Sequence, residues 1–186
     1  MPDANATQRR QRMIDAAPAL AARLPLDGLT AETVAVEAGV TAEQFAAEFG
    51  TVENYFLELH RRFMDGILAR LVADAGNLPP SLDRIARASA VQLDLCLEQR
   101  ALRGWIAEAR RRFPAVAEDI HQRNLRTAMM IGIELNSLKC RNARAVARLY
   151  CVMVLEAAQL EADAGAALPD VRQTLAAFLR TAMAAA

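Results

Sequence analysis

At 186 residues, 54% of them apolar but only 5% aromatic, the chain is long enough to bury a core of its own, and it is poor in the side chains that sheets draw on. Its 22 basic and 22 acidic residues cancel, which excludes a uniformly basic coat for nucleic acid or anionic membrane and leaves charge to be read segment by segment. Cys96, Cys140 and Cys151 are an odd set without close spacing, which excludes a disulfide framework or a zinc knuckle, and no run approaches the ~20 apolar residues that span a bilayer.

In chain order, the first segment, 7–23, places Met13, Ile14, Ala17 and Leu20 on one side at helical spacing. Pro18 lies inside it and predicts a bend or break near Ala17, because proline lacks the N–H and clashes with the preceding turn. After the Asp27-Gly28 turn, Thr30 is placed to cap a short helix ending at Ala38. Gly39 supplies a tight turn, and Thr41, with Gln44 three residues on, forms a capping-box pattern for a second short helix. With Val34, Ala35, Val40, Phe45 and Phe49 facing inward, these two helices meet the requirements of a helix-turn-helix over about 31–50. Thr51 opens a longer helix with Phe56, Leu59, Phe63, Ile67 and Leu71 on one stripe, ending near Gly76.

Beyond it, helices are expected at 81–112, interrupted between Arg100 and Gly104, then at 115–138, 143–163 and 170–184. Nothing reads as a strand, so the fold class is all-α. The last two helices carry broad apolar faces, marked by Val146, Leu149, Tyr150, Met153, Val154, Ala157 and Leu160, and by Val171, Leu175, Phe178 and Leu179. Spacing alone is even between packing within one chain and pairing with a second copy. His60 reads as a surface or hinge residue. The basic run Arg110-Arg111-Arg112 reads as a helix C-terminus favoured by the dipole, and neither His60 nor His121 has a partner at metal-ligand spacing. No nucleophile elbow, phosphate-binding glycine loop or acid-base carboxylate pair is present, so neither an enzyme, a metal nor a cofactor is expected.

The run 12–57, RMIDAAPALAARLPLDGLTAETVAVEAGVTAEQFAAEFGTVENYFL, resembles the N-terminal signature of the tetracycline-repressor (TetR) family. The match lies in Ile14 with Ala16-Ala17, Gly28 before Leu29-Thr30, Val34-Ala35, Ala38-Gly39-Val40-Thr41, Phe45, Phe49-Gly50 and Glu53. The resemblance covers about a quarter of the chain. It implies a three-helix head over 1–56 and a helical bundle of about six helices over 57–186, which binds a ligand among its middle helices and dimerises through its last two. Function is then expected to be that of a ligand-responsive transcriptional regulator, a repressor, acting in the cytoplasm as a homodimer on a palindromic double-stranded operator. A small apolar effector is implied, with pocket candidates Cys96, Trp105, His121, Asn124, Met129 and Met130 in the middle helices, although each is also an ordinary core residue type.

The groove-facing chemistry departs from the family pattern. Where the family places a basic residue after the cap, a tyrosine in mid-helix and a lysine at the next helix start, this chain has Ala42, Ala46 and Val52. Residues 1–56 hold four arginines against eight carboxylates, the reverse of a usual DNA-binding head. Phosphate contact then rests on Arg9, Arg10 and Arg12 of the leading arm and on the Thr30, Thr33 and Thr41 hydroxyls. Base readout rests on Gln44 toward adenine and on Glu43 or Glu48 toward cytosine, beside the small Ala47. The alternative from another class is a TetR-like interaction protein that has lost DNA binding and acts through a protein partner.

Overall fold

A computed structural model describes residues 4–184. Among these the regular structure is helical throughout: α1 (Ala4–Asp15), α2 (Ala17–Ala21), α3 (Ala31–Ala38), α4 (Ala42–Phe49), α5 (Val52–Ala75), α6 (Leu82–Glu98), α7 (Arg100–Arg112), α8 (Pro114–Ser137), α9 (Ala143–Ala164) and α10 (Pro169–Ala184), with a 3-10 turn at Leu26–Gly28. The all-α class follows from composition, and the breakers set the ends. Pro18 separates α1 from α2 at Ala16, and Ser81 Oγ caps α6 by accepting from the Arg84 amide at 3.1 Å. The interruption of the 81–112 segment falls at Gln99, whose φ of −107° leaves the helical region.

The chain divides into two compact units, one holding residues up to Met64 together with Ala101–Ile120, the other holding Asp65–Arg100 and residues from His121 onward. In the first unit an aromatic cluster forms the core. Phe45, Phe49 and Tyr55 have ring centroids 5.1–5.5 Å apart, and Phe56 stacks on Phe113 at 5.7 Å and meets Trp105 edge-on at 6.0 Å. Each fully buried ring stabilises the unit by roughly 1.5–3 kcal/mol relative to exposure. The ring edges are also satisfied: Tyr55 OH donates to Met13 O at 2.8 Å, and Trp105 Nε1 donates to Leu24 O at 2.9 Å. α7 thus enters the core of the unit that carries the two short capped helices.

One expectation is overturned here. His60 is buried, with 4% of its surface exposed, and its Nδ1 lies 2.9 Å from Asp119 Oδ2, while Arg61 donates to the other oxygen of that carboxylate at 3.2 Å. The apolar stripe of α5 carries it inward, where Asp119 of α8 gives it a partner that sequence distance concealed. Of the basic run, Arg112 reaches Asp27 at 2.8 Å and lies over Phe113, so that residue staples α7 to the 3-10 turn.

In the second unit α9 packs against α6, α8 and α10. Tyr150, Val154, Ala157 and Leu175 are buried there, Tyr150 OH donates to Ser89 Oγ at 2.9 Å, and the Tyr150 ring stacks on Phe178. Glu161 is fully buried and accepts two bonds from Arg172, at 2.6 and 2.7 Å, and one from the Leu168 amide at 3.0 Å. That clamp joins the end of α9 to the start of α10 and holds the Glu161 carboxyl below its ordinary range.

A candidate nucleic-acid interface

The two short helices are built by local chemistry. Thr30 Oγ1 accepts from the Thr33 amide at 3.2 Å while Thr33 Oγ1 accepts from the Thr30 amide at 2.9 Å. Thr41 Oγ1 accepts from the Gln44 amide at 3.2 Å, and Gln44 Oε1 accepts from the Thr41 amide at 3.0 Å. Two reciprocal capping boxes therefore start α3 and α4. Between them Gly39 takes a φ of 63°, a left-handed conformation that a Cβ penalises, and the chain reverses in one residue. Val34, Ala35, Phe45 and Phe49 are buried behind this turn, so α3 and α4 form a rigid helix-turn-helix whose other side faces outward.

That outward side is acidic and small. Thr41, Glu43, Ala46 and Ala47 are exposed, and Ala42, Gln44 and Glu48 are half-buried. The Thr30 hydroxyl beside Glu32 and the Thr41 hydroxyl beside Glu43 hold both carboxyls below their ordinary range. Each is a first-turn acid on its helix, so the positive end of each helix dipole already faces its own carboxylate.

The arm cations are drawn onto the same helix. Arg9 Nη2 lies 3.4 Å from Glu48 Oε1. Arg10 donates to the Glu48 carbonyl at 2.6 Å, lies 3.6 Å from a Glu58 oxygen, and sits 4.4 Å from the Phe49 ring centroid. Arg12 is exposed on the arm. The structure thus brings Arg9, Arg10 and Glu48 together, and it engages Thr30, Thr33, Thr41 and Gln44 in capping.

An open groove of about 330 Å³ lies on this unit, lined by Leu20, Leu24 and Val36 with Arg23, Glu32, Thr33 and Glu37 at its edges. None of the six pocket candidates lines it. Trp105 belongs to the aromatic core of the first unit. In the second unit Cys96 is buried, His121 is exposed and Asn124 half-buried, and the Asn124 carbonyl accepts from Cys151 Sγ at 3.9 Å. Met129 and Met130 face outward, 60% and 61% exposed.

Of the residues expected at a dimer interface, Tyr150, Ala157 and Leu175 are buried within the chain, Val146, Met153, Val171 and Phe178 are half-buried, and Leu149 is 60% exposed. Leu160, also on that expected face, is 43% exposed, and Val152, which sequence reasoning left out, is 65% exposed. The signal for it was present: Val152 stands on the helix face opposite Tyr150 and Val154.

No protein-family model matches the sequence, and no curated protein matches it either. Solved structures do match. A transcriptional regulator from Rhodococcus sp. RHA1 superposes with a TM-score of 0.78 at 19% identity, over 95% of this chain and 96% of that one. A protein assigned to the TetR family of transcriptional regulators, also from Rhodococcus, gives a TM-score of 0.79 at 16% identity over 94% and 98%. The multidrug binding protein EbrR, solved with imidazole, gives 0.72 at 23% identity over 98% and 94%. These names are of regulators and a drug-binding protein, and none is of an enzyme.

Proposed function

We propose that this chain, which has the fold of the TetR-type transcriptional regulators, is itself a regulator that binds a palindromic DNA operator as a homodimer and is released from it by a small apolar effector held in the body. The observation that carries the reading is the doubly capped helix-turn-helix, with α4 presented outward on a rigid aromatic core. Two such heads related by a twofold axis address half-sites about one helical turn, ~34 Å, apart. The effector reading draws support from EbrR being named a multidrug binding protein. A repressor acting in the cytoplasm is the form proposed, and no described helix is long and apolar enough to cross a membrane.

A specific observation favours a second reading, in which the fold is kept and the head engages a protein rather than DNA. Glu43 and Glu48 lie on α4 without a basic residue, and Arg9 and Arg10 are occupied by Glu48 and Glu58. Phosphates approaching this face meet carboxylates first.

Fluorescence anisotropy of the purified chain on a duplex from its own upstream region, at two salt concentrations and against an unrelated duplex, separates the readings. Sequence-dependent binding that weakens steeply with salt supports the regulator. A folded dimer with no preference between duplexes at low salt supports the partner-binding protein.

A further inference from the structure

In the first unit, positive charge gathers on α7 rather than on the helix-turn-helix. α3 and α4 each carry two glutamates and no basic residue. From Ala101 onward α7 carries Arg103, Arg110, Arg111 and Arg112 against a single carboxylate, Glu108. Of the three arginines that close the helix, Arg112 is engaged by Asp27 and lies over Phe113. Arg110 and Arg111 are exposed and have neither an ion pair nor a hydrogen bond among the described residues. Leu102, Trp105, Ile106 and Ala109 are buried on one side of α7. At 100° per residue Arg111 points directly away from that side, and Arg110 stands on its flank.

The helix dipole favours cations at this end of α7 whatever lies beyond them. It does not account for where the end is pinned. Asp27, which holds Arg112 at 2.8 Å, precedes Thr30, the cap of α3, by three residues. Just past the arginines, Phe113 stacks on Phe56 of α5 at 5.7 Å, and the Ala115 amide donates to Glu53, in the first turn of α5, at 3.1 Å. The end of α7 is thus tied to the approach to α3 and to the start of α5, the two helices that flank α4 in the chain. A duplex that takes α4 into its groove runs a phosphate backbone along each edge of that groove, so cations beside α4 meet phosphates rather than base edges.

We propose that Arg110 and Arg111 belong to the DNA-binding surface as backbone contacts, supplying from α7 the phosphate neutralisation that α3 and α4 lack. The inference rests on the DNA-binding reading and says where the charge for it resides. Arg112 is the staple that holds the corner in place, and its two neighbours are the side chains left to meet the duplex. Their contribution is to affinity for every sequence alike, since phosphates carry no base identity.

The test is fluorescence anisotropy of the whole chain and its variants over a salt series, on the upstream duplex and on an unrelated one, with thermal melts followed by circular dichroism. Arg110→Ala and Arg111→Ala are each expected to weaken binding to both duplexes alike and to reduce the slope of log affinity against log salt by about 1. The double variant loses about 2, with the melting temperature unchanged. Arg111→Lys keeps the slope, because a phosphate is held by a point charge as well as by a guanidinium. Arg126→Ala, at an exposed position of α8 in the second unit, changes neither slope nor melting temperature. A double variant with the wild-type slope overturns the inference while wild-type binding keeps the DNA reading standing, and a fall in its melting temperature then assigns the pair to the helix dipole alone. A slope that Arg126→Ala lowers equally also overturns it, since any lost cation would then serve. A wild type that binds neither duplex at low salt removes the DNA reading and this inference together.

Discussion

At the scale of single residues, the head is governed by what Arg9 and Arg10 do. Arg10 has a short bond to the Glu48 carbonyl, an ion pair with Glu58 and the face of Phe49. Arg9 has one long contact to Glu48 and a buried Nε with no hydrogen-bond partner. A phosphate therefore captures Arg9 with less loss than Arg10. If the head reads DNA, Arg9→Ala lowers affinity for all sequences alike and reduces the salt slope by about 1, whereas Arg10→Ala is expected mainly to lower the melting temperature. Glu43→Lys, on an exposed first-turn position, should raise DNA affinity and steepen the slope by about 1; an unchanged slope argues that α4 does not face phosphate. Tyr55→Phe deletes the bond to Met13 O within the buried core, and urea unfolding should show a loss of about 1 kcal/mol.

At the scale of elements, the short helices depend on their ends and the long ones on their clamps. Gly39→Ala forces a Cβ into a φ of 63°, and denaturant titration should register roughly 1–2 kcal/mol of destabilisation. Between α9 and α10, the depressed Glu161 carboxyl contributes stability that is fully present above its ordinary value of 4.5 and is lost as pH falls through the lowered one. Thermal unfolding followed from pH 7 downward should show the midpoint dropping once pH passes below 4.5. The Glu161→Gln variant should start lower, by about 2 kcal/mol, and fall less steeply. That figure is below the ~3–5 kcal/mol of a fully buried pair because the Arg172 side chain keeps 24% exposure and a second carboxylate, Asp94, at 2.7 Å. A wild-type curve parallel to the variant's would show that the clamp is not ionised as described.

At the scale of the whole molecule, the proposed regulator needs a head that presents α4, a body that accepts an effector and a second copy that pairs the heads. Much of this was legible in the residues. Composition excluded sheet; Pro18, Gly39, Gly76 and Pro114 punctuated the helices; Thr30, Thr41 and Thr51 marked their starts. These signals act within a few residues, so they are complete in the sequence, and they carry the all-α class and the helix-turn-helix. Tertiary structure alone decided what depends on distant partners. His60 turned inward because Asp119 awaits it, Arg9 and Arg10 closed on Glu48 across the head, and Trp105 joined the aromatic core around Phe56. On α9, apolar residues occupy both faces, so periodicity could not tell Tyr150 and Ala157, which are buried within the chain, from Leu149, Val152 and Leu160, which are exposed. A helix repeats every 3.6 residues whatever it packs against, and only the positions of its neighbours in space decide which side is covered.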